Sequence, residues 1–183
     1  MHQIFSATDY TTGEVAAALV MTRQNVTNFV SRASLPTSGT GSHTRLSFAQ
    51  AVAVAVGRDL AEGGLSIFVA GLAVRNVLPA LAGFADYLVE HVKNGSDPLS
   101  DSFWEKHSPP FVAGWVQHRS WDGENESICR FKIVRQDKIG EVAADPVTAL
   151  GPNVRPVMLV VALLPVLRQL AKGLLEQQKG RHE

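Results

Sequence analysis

Residues 10–48 read YTTGEVAAALVMTRQNVTNFVSRASLPTSGTGSHTRLSF. Thr11 or Thr12 is placed to cap a helix, and Glu14 falls in its first turn, where a carboxylate serves both a capping box and the helix dipole. Val15, Ala16 and Leu19 recur at helical spacing, and Val20-Met21 makes a turn. Thr22 is placed to cap a second helix, predicted over 23–32, with Val26, Phe29 and Val30 facing inward. Leu35-Pro36 ends that helix. Residues 37–44 are small and polar and lead into Arg45-Leu46-Ser47-Phe48. Two short helices, a tight turn and a Gly-containing hairpin predict a winged helix-turn-helix.

Residues 8–66 resemble the DNA-binding domain of the mercury-resistance regulator (MerR) family. The resemblance rests on the opening Tyr10-Thr11-Thr12-Gly13-Glu14-Val15-Ala16, on Thr22-Arg23, on the Leu35-Pro36 exit, on Arg45, and on Leu60-Ala61-Glu62-Gly63-Gly64-Leu65-Ser66. It implies a winged domain that binds double-stranded DNA, usually as a dimer. Where the family carries an Arg and Tyr pair that clamps phosphates, this chain has Thr27, Asn28 and Phe29. Its wing has a single Arg, Arg45, with His43 and Phe48.

The second helix turns Arg23, Gln24, Asn25, Thr27 and Asn28 away from its apolar side. Asn and Gln can pair bidentately with adenine, and Arg with guanine. Arg32 at the helix end suits either a phosphate or the helix dipole. Thr12 and Thr22 at the helix starts, and His43, Thr44 and Arg45 in the wing, complete the DNA-contacting set expected from the sequence.

Charge sets a limit on this reading. The chain has 17 Lys and Arg against 17 Asp and Glu, and its pI is near 7.0. Phosphate neutralisation supplies most nonspecific DNA affinity, so a neutral protein should bind with a modest salt dependence. The balance is uneven, however. From Val15 to Gly57 there are three Arg (23, 32 and 45) and no acidic residue.

Further along, residues 49–62 read as a helix capped by Ser47 and stopped by Gly63-Gly64. A very apolar helix is predicted over 65–77, and a separate one from Pro79 to Val92 with Leu81, Phe84, Ala85, Leu88 and Val92 on one stripe. Residues 93–98 form a stop, and residues 97–110 are aromatic and Pro-punctuated. Residues 111–119 and 127–135 read as a hairpin around Asp122-Gly123, with Cys129, Phe131 and Ile133 alternating with Arg130 and Lys132. Residues 141–153 read as loop, 156–161 as a third strand, and 163–178 as an amphipathic helix with Leu163, Leu167, Leu170, Leu174 and Leu175 on one side. Residues 1–8 read as a short arm or frayed start. The expected class is α+β: a winged helix-turn-helix over 1–66, a helical connector or dimerisation segment over 67–95, and an α+β part with a small antiparallel sheet and C-terminal helix over 96–183.

Other chemistry finds little support. A lone Cys129 excludes an internal disulfide and a Cys-paired metal site. The six His lie at 2, 43, 91, 107, 118 and 182, with no metal-ligand spacing. No nucleotide-binding Gly-rich loop and no nucleophile elbow is present. Neither a catalytic residue nor a cofactor or metal is therefore expected. Trp104, Phe111, Trp115 and Trp121, with Glu105, are candidates for a pocket taking an apolar or cationic effector, against the plainer reading of aromatic sheet core. No secretory leader is legible, and the longest apolar run, 157–167, is too short to span a bilayer, so a cytoplasmic protein without a membrane partner is expected.

The function expected from these readings is a non-catalytic, sequence-specific transcriptional regulator acting as a homodimer on double-stranded DNA. Two alternatives stand beside it. One is a phage-type DNA-binding adaptor for excision or packaging. The other is a ligand- or protein-interaction module with a degenerate winged domain.

Overall fold

The computed structural model describes residues 2–6, 9–39, 44–121, 124–149 and 157–179, with the backbone only at 2–3, 117–121, 124–128 and 145–149. The fold mixes helix and sheet in the α+β manner. It opens with a helix, α1 (His2–Ser6). An arm was expected there, but Ile4 and Phe5 are buried, and Phe5 meets Phe48 edge-on at 5.0 Å. Two apolar side chains in so short a segment are enough to seat it on the core.

A two-residue strand, β1 (Tyr10–Thr11), leads into α2 (Thr12–Ala18) and then α3 (Arg23–Arg32). The strand β2 (Arg45–Leu46) pairs antiparallel with β1, setting Tyr10 against Leu46 and Thr11 against Arg45. Ser47 caps the next helix, α4 (Phe48–Glu62), through a full capping box with Gln50. From Ala51 to Gly57 every residue of α4 is buried, so it is the central helix of the core.

Next comes α5 (Ile67–Lys93), one continuous 27-residue helix with Pro79 inside it. This corrects the division into separate helices over 65–77 and from Pro79. Proline removes one backbone donor and crowds the carbonyl of the residue four before it, here Arg75. Both residues lie on the exposed side, where water can take that carbonyl. The inward stripe continues across the break, from Val69, Ala73 and Val77 to Leu81 and Leu88. By length and composition α5 is apolar enough to cross a bilayer, its most apolar 18-residue stretch having a mean hydropathy of 1.7. In the fold it packs against α4 and the larger sheet, and Arg75, Asp86 and Glu90 are exposed along it.

The aromatic region holds a helix that was not expected, α6 (Asp101–His107), capped by Ser100. The sheet follows: β3 (Pro110–Trp121), β4 (Glu124–Arg135) and β5 (Val157–Ala162), antiparallel in the order β4-β3-β5. Between β4 and β5 lies α7 (Ile139–Ala149), where a loop was expected over 141–153. Val142, buried to 2% exposure, helps hold it as a helix over β3. The amphipathic α8 (Leu163–Lys179) closes the fold, burying Leu163, Leu167, Leu170 and Leu174.

Register divides the sheet into two faces. Val112, Val116, Phe131 and Val161 join the main core. Ala113 and Trp115 are buried on the opposite face, whose β4 members include Arg130, Lys132 and Val134. The main core runs without a break from Ile4 to Leu174. The segments 1–66, 67–95 and 96–183 therefore share one interior. Contacts between α2 and α8 join the first segment directly to the last.

Candidate nucleic-acid interface

Thr11 caps α2: its side chain accepts from Glu14 N at 3.1 Å, and Glu14 Oε2 accepts from Thr11 N at 2.8 Å. The turn after α2 forces Val20 to φ 55°, with its side chain 89% exposed. A β-branched residue rarely adopts that conformation, so the turn is held by its surroundings. Met21 N donates to Ala16 O at 2.8 Å, and Arg58 Nη1 on α4 donates to Leu19 O at 3.0 Å. Arg58 also reaches Asp59 and Gln169, so one guanidinium ties the turn, α4 and α8 together.

Thr22 caps α3, accepting from Asn25 N at 3.1 Å. The buried side of α3 is Val26, Phe29 and Val30. The other side exposes Arg23, Gln24, Asn25, Thr27, Asn28, Ser31 and Arg32. No carboxylate sits on this helix, and its N-terminus carries the positive end of the dipole. Gln24 Nε2 donates to Asn28 Oδ1 at 2.8 Å, and Thr27 Oγ1 donates to Arg23 O at 3.0 Å. Arg32 is exposed in the last turn.

Thr12 corrects the expected contact set. It is 1% exposed, and its hydroxyl accepts from Arg23 Nε at 3.3 Å. Its role is to position Arg23. Because Thr12 follows Thr11, and Thr11 pairs with Arg45, the start of α3 and the strand β2 belong to one neighbourhood. Arg45 also bridges to Ser38, with Arg45 N donating to Ser38 O at 2.8 Å. Arg45 and Thr44 are half-buried. Gln50 donates to Pro36 O and so fastens the exit from α3 to the start of α4. His43 lies outside the described residues.

The aromatic candidates do not converge. Trp104 is 5% exposed, packs on Phe103 and Phe84, and donates Nε1–H to Pro98 O at 2.7 Å. Phe111 is half-buried. Trp115 is 2% exposed and lines a different cavity from Trp104. The Trp121 side chain lies outside the described residues. The cavity beside Trp115, one of the four candidates, is lined also by Asn76 of α5, which the sequence did not point to. Its legible signs were Trp115 itself and the alternation that revealed Arg130 and Lys132 as a wet face.

Among the described residues, burial raises the pKa of three titratable groups, Tyr10, Tyr87 and Cys129. The Tyr10 hydroxyl donates to Ile4 O at 2.6 Å, and burial, with help from Asp9 and Glu14, pushes its pKa well above the ordinary value. Burial also pushes the Cys129 thiol up. Among the described residues no group of three or more His, Cys, Asp or Glu side chains is placed to hold a metal ion.

Compared with known protein families, curated proteins and solved structures, the chain gives no match.

Proposed function

We propose that this chain is a non-catalytic transcriptional regulator that binds double-stranded DNA in a sequence-specific way through a MerR-like winged helix-turn-helix. The observation that carries the reading is the outer face of α3, which is polar, exposed and free of carboxylates. A helix of this kind fits the major groove, where Arg23, Gln24, Asn25 and Asn28 meet base edges and Arg32 meets a phosphate. Thr44 and Arg45, at the start of β2, then lie on flanking backbone. One such helix reads only a few base pairs, which favours a two-fold dimer on paired half-sites.

The test is selection from random DNA fragments followed by sequencing, at two salt concentrations. The reading expects an enriched, pseudo-palindromic motif whose spacing gives the separation of the half-sites. An interaction-module reading is favoured by Thr27, Asn28 and Phe29 standing where the family carries its Arg and Tyr clamp, and by the formal net charge of zero. It gains if no motif is enriched and the weak binding vanishes at moderate salt.

A further inference from the structure

The turn of α3 decides which of its side chains reach deepest into a groove. Val26 lies at the middle of the buried side, between Phe29 and Val30. Gln24 and Asn28 stand opposite it, each about 160° around the helix, and both are exposed. Arg23 and Thr27 flank this pair on one side, Asn25 and Arg32 on the other. Gln24 and Asn28 are one turn apart and bonded: Gln24 Nε2 donates to Asn28 Oδ1 at 2.8 Å. The bond turns the Asn28 oxygen toward Gln24 and leaves Nδ2 pointing away from it. Asn28 keeps a second lone pair on Oδ1 and both hydrogens on Nδ2. On the first flank, Thr27 Oγ1 donates to Arg23 O at 3.0 Å and Arg23 Nε donates to Thr12 at 3.3 Å, so both neighbours are engaged within the protein.

We propose that Asn28 reads an adenine, and that Gln24 is the positioning residue that fixes the Asn28 amide for it. Adenine offers the major groove an acceptor, N7, beside a donor, N6–H. Asn28 offers the complement: Nδ2–H for N7, and the remaining Oδ1 lone pair for N6–H. Guanine offers two acceptors there, N7 and O6, so Oδ1 would face O6 with no hydrogen between them. A side-chain amide free in water presents its oxygen and nitrogen to a base edge in either order. Held by Gln24, Asn28 presents one order. The ordering is complete before DNA arrives, so less side-chain freedom is lost on binding. The inference rests on the DNA reading above and names the base that reading leaves open.

Selection from random double-stranded DNA with the intact parent, Asn28→Ala and Gln24→Met chains, followed by fluorescence anisotropy on the enriched duplex, tests it. The parent should enrich an adenine at a fixed position in each half-site. It should lose about tenfold or more in affinity when guanine, or 7-deazaadenine without the N7 acceptor, replaces that base. Asn28→Ala should bind the adenine and guanine duplexes alike. Gln24→Met keeps the length of the side chain without its donor. It should narrow the preference at the same position, leave the rest of the motif unchanged, and add nothing there to Asn28→Ala in the double variant. A merely structural bond would weaken binding to every sequence alike, and melting points equal to the parent's show that the fold is kept. A motif without a fixed adenine, a preference that survives in Asn28→Ala, undiminished binding of the 7-deazaadenine duplex, or a Gln24→Met chain that discriminates as the parent does would each overturn the proposal and leave the DNA reading standing. No enriched motif from the parent would overturn both.

Discussion

The ring of Phe29 lies directly on the backbone of Gly57: a β-carbon added to Gly57 would stand 1.9 Å from Phe29 Cζ. Phe29 is the large apolar anchor of α3, and Gly57 sits in the most buried stretch of α4. The outer face of α3 therefore owes its position to a missing side chain on another helix.

Gly57→Ala should destabilise the fold. Alanine would gain about 0.5–1 kcal/mol of helix propensity over glycine. Overpacking a tight core costs about 1–3 kcal/mol or more, and Phe29, 1% exposed, has nowhere to retreat. The net loss should show as a fall of several degrees in Tm by thermal unfolding. An unchanged or higher Tm would mean the helices separate freely.

Arg23→Ala and Asn25→Ala test the proposed DNA reading. Each should weaken binding to the selected motif by about 1–3 kcal/mol if it reads a base. Arg45→Ala should weaken binding to all sequences alike and lower the salt slope by about one. Fluorescence anisotropy across a salt series separates the two behaviours, and unchanged affinity in both α3 variants moves the reading surface elsewhere.

Arg58→Ala should cost about 1–3 kcal/mol in urea unfolding, because Leu19 O then loses a charged donor in a partly buried site. Arg58→Lys should recover little, since one ammonium cannot reach Leu19 O, Asp59 and Gln169 in the same fork.

Tyr10 predicts an alkaline limit. Its folded pKa lies above the unfolded value near 10.0, so the folded state holds the proton more tightly. The associated stability is complete below pH 10 and falls as the pH climbs past it, because the unfolded phenol ionises first. Tyr10→Phe should be less stable at neutral pH by about 1 kcal/mol, for the bond to Ile4 O, and should show a flatter decline above pH 10. Equal slopes for the two proteins in a pH series of unfolding midpoints would refute this.

Local signals made the first third of the chain legible. Thr11, Thr22 and Ser47 each cap a helix, and Val26, Phe29 and Val30 face inward as their spacing implies. The sheet alternation and the Leu stripe of α8 were equally readable. What could not be read was set by tertiary contact. Helix α5 runs through Pro79 because its buried stripe continues on both sides. Helix α7 seats Val142 in a buried position over β3, which no local signal reveals. Thr12 reads as a DNA contact in the sequence because nothing local reveals that it is buried and accepts from Arg23. Trp104 and Trp115 are near in sequence, yet the turn of chain between α6 and β3 sends them to separate cavities.

The junction of α2 with α8 is close: a β-carbon on Gly173 would stand 2.4 Å from Ala18 Cα. The two helices therefore meet backbone to backbone, across more than a hundred intervening residues. Such a contact forms late, since the loop between its partners must close before the contact can contribute. A chain emerging from the ribosome would hold the apolar side of α2 exposed until α8 has been made. During that interval the partly made protein would depend on other binders of apolar surface, so an early stop before Leu163 should yield an aggregating fragment rather than a working half.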